Sequence, residues 1–187
     1  MKQGVRALGI AESFTGERST LAGAVVRASR VVDGFVFGSC TVGGTDVNET
    51  IVEMVERLDR ADVQYLFVAG IAPAWFNMVD VPEIHAETGL PVLSVTFEES
   101  DGLASALRAE FDGQALDRRL RVYRSQPDRE RVLVNDQPVF VRSMGCDTAD
   151  PREVLGAFTP EGGRPEPLRV ARLAARAVEQ SPLPGSR

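Results

Sequence analysis

The chain has 187 residues, with 27 Asp and Glu against 21 Lys and Arg and a net charge of −6. That length suits one compact domain rather than two, and a hydrophobic fraction of 43% is enough for a core, which excludes disorder of the whole chain. Lys2 is the only lysine; an acidic surface whose other cations are all arginine suits a molar-salt solvent, although a GC-rich genome that exchanges lysine for arginine codons gives the same bias.

Residues 5–10 read as a buried strand that stops at Ala11, Glu12 and Ser13, before a polar loop containing Gly16. Two β-rich runs follow at 20–27 and 32–42, separated by turn material that includes Asp33-Gly34, so the first three strands form an antiparallel meander. Asp46 is placed to cap a helix whose apolar stripe is Ile51, Met54, Val55 and Leu58. The pattern then alternates: an apolar strand at 64–69, a helix at 79–88, an apolar strand at 91–96 and a helix at 101–111. Uninterrupted apolar strands between helices predict a parallel sheet covered on both faces. Short strands are expected at 118–124, 131–134 and 138–141, and a last helix opens after Pro165-Glu166-Pro167 and runs to about Val178. Residues 1–180 are read as one domain, and 181–187 as a frayed tail.

No stretch approaches the ~20 apolar residues needed to span a bilayer, and the first residues lack a signal-peptide pattern, so a cytoplasmic protein is expected. Cys40 and Cys146 match no metal or disulfide spacing and read as buried reduced thiols.

Three antiparallel strands, a helix, then alternating parallel strands and helices is the order of the α/β ribonuclease H-like fold. Local motifs narrow the resemblance: Leu8-Gly9-Ile10-Ala11-Glu12-Ser13, Phe67 to Ala72 with Phe76-Asn77 and Asp80, Thr88 to Val92, and Arg164 to Ala171 with its PEP turn. Over nearly its full length the chain resembles the archaeal "domain of unknown function 99" family, here of haloarchaeal type, which is similar to endonuclease V. That resemblance implies a centre in which carboxylates at strand ends hold divalent metal. The metal positions it implies fall on Ala11, on Ala69 and on Arg172, none of which is a ligand. The family's glutamate before the first helix has no clear match between Thr41 and Asp46, and Asp46 is better explained as a cap.

Glu12 is the nearby carboxylate that could compensate, but a one-residue shift in a strand turns the side chain to the opposite face, and an ion pair with Arg172 is the simpler expectation. Beyond the strand ending at Ala69, Trp75 and Phe76 could stack on a base while Asn77 reads its edge. The competing expectation is that both rings pack under the loop while Asp80 caps the next helix. Ser13, Arg169 and Arg172 complete the ligand-binding candidates. His85, the only histidine, has no nucleophile at recognisable spacing. Glu98, Glu99 and Asp101 are expected to cap the next helix, and the arginines at 118, 119, 121, 124, 129 and 131 to form a basic hairpin that tracks phosphates or pairs with surface carboxylates.

The resulting expectation is an endonuclease V-related protein with a degenerate metal site and no cofactor, in a binding role that involves nucleic acid. The alternatives are an active Mg²⁺-dependent endonuclease using Glu12 and Asp80, or a homo-oligomeric scaffold.

Overall fold

The computed structural model describes residues 1–147 and 149–180, so the expected tail lies outside the described residues. Strands β1 (Arg6–Phe14), β2 (Arg18–Arg27) and β3 (Val32–Thr41) form the expected antiparallel meander. Helix α1 (Val47–Leu58) leads into β4 (Val63–Ala69), the short turn α2 (Pro73–Phe76), α3 (Val81–Thr88) and β5 (Val92–Thr96). Helices α4 (Ala104–Glu110) and α5 (Gly113–Ser125), the hairpin β6 (Glu130–Val134) and β7 (Gln137–Met144), and helices α6 (Pro151–Ala157) and α7 (Glu166–Gln180) complete the chain.

The seven strands make one mixed sheet in the order β3-β2-β1-β4-β5-β7-β6. β1, β4 and β5 are parallel, and β7 closes on β5 antiparallel. The central strands are buried on both faces, which is why their sequences are continuously apolar. In β4, Leu66 and Val68 point into the core shared with α1, α3, α4 and α5. Phe67 points the other way, against Leu155, Phe158 and Leu168 of the α6 and α7 side. A fully buried phenylalanine such as Phe67 contributes roughly 2–3 kcal/mol, and it also meets Phe158 edge to face at 5.4 Å between centroids.

Helix α7 lies directly on β1 because position 9 has no side chain: a Cβ on Gly9 would stand 2.3 Å from the carbonyl carbon of Pro167. The PEP turn and Gly9 are therefore two halves of one contact.

Several expectations are corrected. The strand expected at 118–124 is part of helix α5, whose Leu116, Arg119, Leu120 and Tyr123 recur at helical spacing on the core side. The interspersed arginines disguised that period. β1 continues through Ser13, so Glu12 and Ser13 are strand residues rather than the start of a loop. Asp46 precedes α1 but its side chain makes no cap; it accepts instead from the Thr41 amide and hydroxyl and from the Asn77 amide. Helix α4 begins after Leu103 without any side-chain cap, so Glu98, Glu99 and Asp101 do not serve it. Asp80 does cap α3, accepting from the Glu83 amide at 3.2 Å. Cys40 is buried as expected, whereas Cys146 is only partly so.

A candidate anion-binding cavity

A cavity of about 810 Å³ opens at the carboxyl ends of β4 and β5. Its floor is Ala69, Gly70, Ser94 and Thr96, with Glu12 of β1 at the margin. One wall is α7, which presents Arg169, Arg172 and Arg176 at spacings of three and four residues, and hence as one stripe. The opposite wall carries Arg129 and Arg142 beside Phe140 and Tyr123, and Arg164 stands in the segment before α7. Six guanidiniums thus face two carboxylates, Glu12 and Glu98.

The arginines are held in different ways. Arg169 is paired with Glu166 at 2.5 Å. Arg129 donates to the carbonyls of Ser100 and Glu98 and to the Thr96 hydroxyl, and its guanidinium lies 4.1 Å from the centre of the Phe140 ring. Arg142 donates to the Pro127 carbonyl and sits over Tyr123. Arg164 stacks on Phe97 at 4.1 Å. Burial, followed by the repulsion of Arg172 and Arg176, pulls the Arg164 guanidinium below its ordinary pKa. It remains a cation, because an arginine starts far above neutrality.

The metal expected from the resemblance does not fit here. Ala11 is buried in a small apolar cluster with Ala24, Val26 and Ala171, against which Ala69 packs. At Ala11 and Ala69, two of the positions where the resemblance implies carboxylates, only methyl groups are present, and Arg172, the third, lines the cavity that a cation would have to enter. Among the described residues, no three of His, Cys, Asp and Glu lie together as a metal site. Glu12 does reach the cavity, but it accepts a 2.7 Å hydrogen bond from the buried Ser19 and makes no ion pair with Arg172. Asp80 is not in the cavity and is occupied as a cap, so the two suggested carboxylates are not brought together.

Arg169 and Arg172 line the cavity as described, whereas Ser13, Trp75, Phe76, Asn77 and His85 do not. Asn77 is fully buried: its side chain accepts from the Val47 amide and donates to the Thr41 carbonyl and to Asp46. Phe76 packs edge to face on Phe111 at 5.9 Å, while Trp75 is 52% exposed. Ser13 donates to Glu179. His85 bonds the Leu90 carbonyl through Nδ1 at 2.7 Å and serves the end of α3. Sequence reasoning missed Arg129 as a member of this site separate from the α5 arginines, and missed Arg142, Arg164 and Arg176 altogether. The helical stripe at 169, 172 and 176 was the available signal for the last of these.

Comparison with known proteins agrees with this architecture. A UPF0215 protein of Methanopyrus kandleri is 34% identical over 184 residues, covering 95% of this chain and 93% of that protein. The structure of an Archaeoglobus fulgidus protein of unknown function superposes with a TM-score of 0.81 at 26% identity, covering 92% of this chain and 97% of the other. Endonuclease V of Ciona intestinalis, in complex with a 24mer DNA containing an inosine followed by a ribo-adenosine, gives a TM-score of 0.58 at 12% identity, with 94% and 86% of the two chains covered; at that identity it shows the fold alone. The family model described as Endonuclease dU matches residues 3–179, and the chain belongs to that family.

Proposed function

We propose that this protein binds nucleic acid in the arginine-lined cavity without cutting it, as a member of its family whose metal centre has been lost. The observation that carries this reading is Arg172: it lines the cavity beside Ala69, where the nuclease resemblance calls for a metal ligand. A guanidinium there supplies fixed positive charge and bidentate donors to a phosphate, which is what a metal would otherwise supply electrostatically. It supplies no activated water, so phosphate is held and not attacked. The family description names deoxyuridine, and the Ciona enzyme was captured on inosine-containing DNA, so strands with deaminated bases are the ligand class to test. We also read the acidic, nearly lysine-free composition as that of a haloarchaeal cytoplasmic protein, which makes molar KCl the appropriate solvent.

The experiment is fluorescence anisotropy with deoxyuridine- and inosine-containing strands in EDTA and in Mg²⁺ or Mn²⁺, with a gel run on the same samples. Binding that survives EDTA, weakens in Arg172→Ala and leaves the strand intact is the expected result. Metal-dependent scission that disappears in Glu12→Gln overturns the reading in favour of a rearranged nuclease.

One observation favours a second role as a homo-oligomer. The edge strand β3 exposes Phe35 and Phe37, at 48% and 40%, stacked 6.3 Å apart on the face that α7 leaves open. Uncovered apolar edges of this kind pair readily with a second chain. Light scattering in high salt decides it, and a strict monomer at micromolar concentration eliminates the role.

A further inference from the structure

Among the described residues, Arg164, Arg172 and Arg176 neither donate a hydrogen bond to a protein acceptor nor form an ion pair, although all three line one cavity. Their neighbours are committed: Arg169 to Glu166, Arg129 to two carbonyls and a hydroxyl, Arg142 to a carbonyl. Other solvent-facing arginines, such as Arg118 and Arg121 on α5, also lack acceptors, but they do not line the cavity. Arg172 and Arg176 are one helical turn apart, where like charges oppose helix formation. So much uncompensated charge in one place calls for a ligand that carries more than one negative charge.

Recognition here also leans on charge more than on bases. Phe97, Phe140 and Tyr123 line the cavity, but one face of each ring is already covered by Arg164, Arg129 and Arg142 respectively. An internal phosphodiester offers one charge on two free oxygens. A terminal phosphomonoester offers three oxygens and a charge of roughly −1.5 to −2 at neutral pH. Three uncommitted guanidiniums match the second and exceed the first.

We propose that the cavity selects a phosphomonoester dianion, either the terminal phosphate of a nucleic-acid strand or that of a free nucleotide. This rests on the phosphate-binding reading above and sharpens it to an end rather than an internal linkage.

The test uses one oligonucleotide sequence, labelled at one end, whose other end carries a 5′-phosphate, a 3′-phosphate, the methyl ester of that phosphate or a hydroxyl. The methyl ester keeps the size but removes one charge. Phosphate ends are expected to bind about tenfold or more tighter than the ester and hydroxyl ends, since the extra charge-assisted bonds are available only to the dianion. Arg172→Ala and Arg176→Ala should each erase that preference, and Arg118→Ala should keep it. Equal binding of all four ends overturns this inference while leaving strand binding intact, and failure of every strand to bind removes both. Competition by a deoxynucleoside monophosphate as effective as that of the phosphorylated strand assigns the free nucleotide; competition only at large excess assigns the strand end.

Discussion

Gly9 is the residue on which the placement of α7, and therefore of the arginine wall, depends most directly. An alanine methyl at this position would lie 2.3, 2.5 and 2.6 Å from the carbonyl carbon, carbonyl oxygen and Cβ of Pro167. Optimal carbon contacts lie near 3.5–4.0 Å, so α7 must retreat by about 1 Å or more, and the obstacle is backbone that cannot rotate aside. Overpacking of this kind costs about 3 kcal/mol, which for a chain of this size lowers Tm by about 6–12 °C. The same substitution at Gly156 in α6 meets nothing within 4 Å and has no positive φ, so Gly156→Ala should stabilise by about 0.5–1 kcal/mol. Urea unfolding followed by circular dichroism measures both variants. Because α7 carries Arg172 and Arg176, Gly9→Ala should also weaken phosphate binding under conditions where it remains folded. A Gly9→Ala midpoint indistinguishable from the parent would refute the claim that this close approach sets the position of α7.

Three further outcomes are expected. Arg119 is 5% exposed, donates to the carbonyls of Phe76, Ala115, Gly43 and Gly44 and lies 3.9 Å from the centre of the Phe111 ring; Arg119→Ala should cost about 3 kcal/mol in urea unfolding, with Arg119→Lys recovering less than half. Hydrogen bonds from Arg27 and Arg6 hold the Asp33 carboxyl down at about 2 from its ordinary 3.8. A depressed carboxyl stabilises the fold fully above its unfolded pKa and loses that contribution as pH falls through the folded one, so unfolding titrations should show a loss between about pH 4 and pH 2 that Asp33→Asn removes. Burial pushes the Cys40 thiol up to about 12 and the Cys146 thiol up to about 11, so thiol reagents at pH 8 should label the native protein far more slowly than the urea-unfolded chain; rapid native labelling of Cys40 would contradict its burial.

The sheet was legible because the central strands announce themselves by composition. After Gln64, the run 65–69 is apolar at every position, as expected for a strand covered on both faces. Helix α5 was not legible as a helix, because arginine at 118, 119, 121 and 124 hides an apolar stripe of only Leu116, Leu120 and Tyr123, and Arg119 itself faces inward. Helix α6, of seven residues, was missed although its Asp150-Pro151 start was visible. In the cavity, Arg172 could be placed from its distance to the PEP turn, since a helix transmits register faithfully. Arg129 and Arg142 could not be placed with it, because they come from the far side of the sheet through β7 and the loop before β6. Local spacing carries no information about a contact of that kind.

The segment after β4 shows why an aromatic loop at the expected crevice does not have to be the binding surface. Ala74, Trp75 and Phe76 are all left-handed, with φ of 47°, 55° and 57°. Each residue with a Cβ in that conformation costs roughly 1–2 kcal/mol, so such a run persists only where its surroundings over-determine it. They do so here on both sides of the exposed Trp75. Pro73 and Ala74 are buried, the Gly43 amide donates to the Ala74 carbonyl at 2.7 Å, Arg119 holds the Phe76 carbonyl, and the Asn77 amide closes back on Pro73. Asn77 is then pinned to Val47, Thr41 and Asp46 by its side chain. The strain and the network that opposes it fix the chain just upstream, where Ile71, Ala72 and Pro73 face the cavity. Phe76 and Asn77, expected to touch a base, instead hold from behind the wall that a ligand would meet.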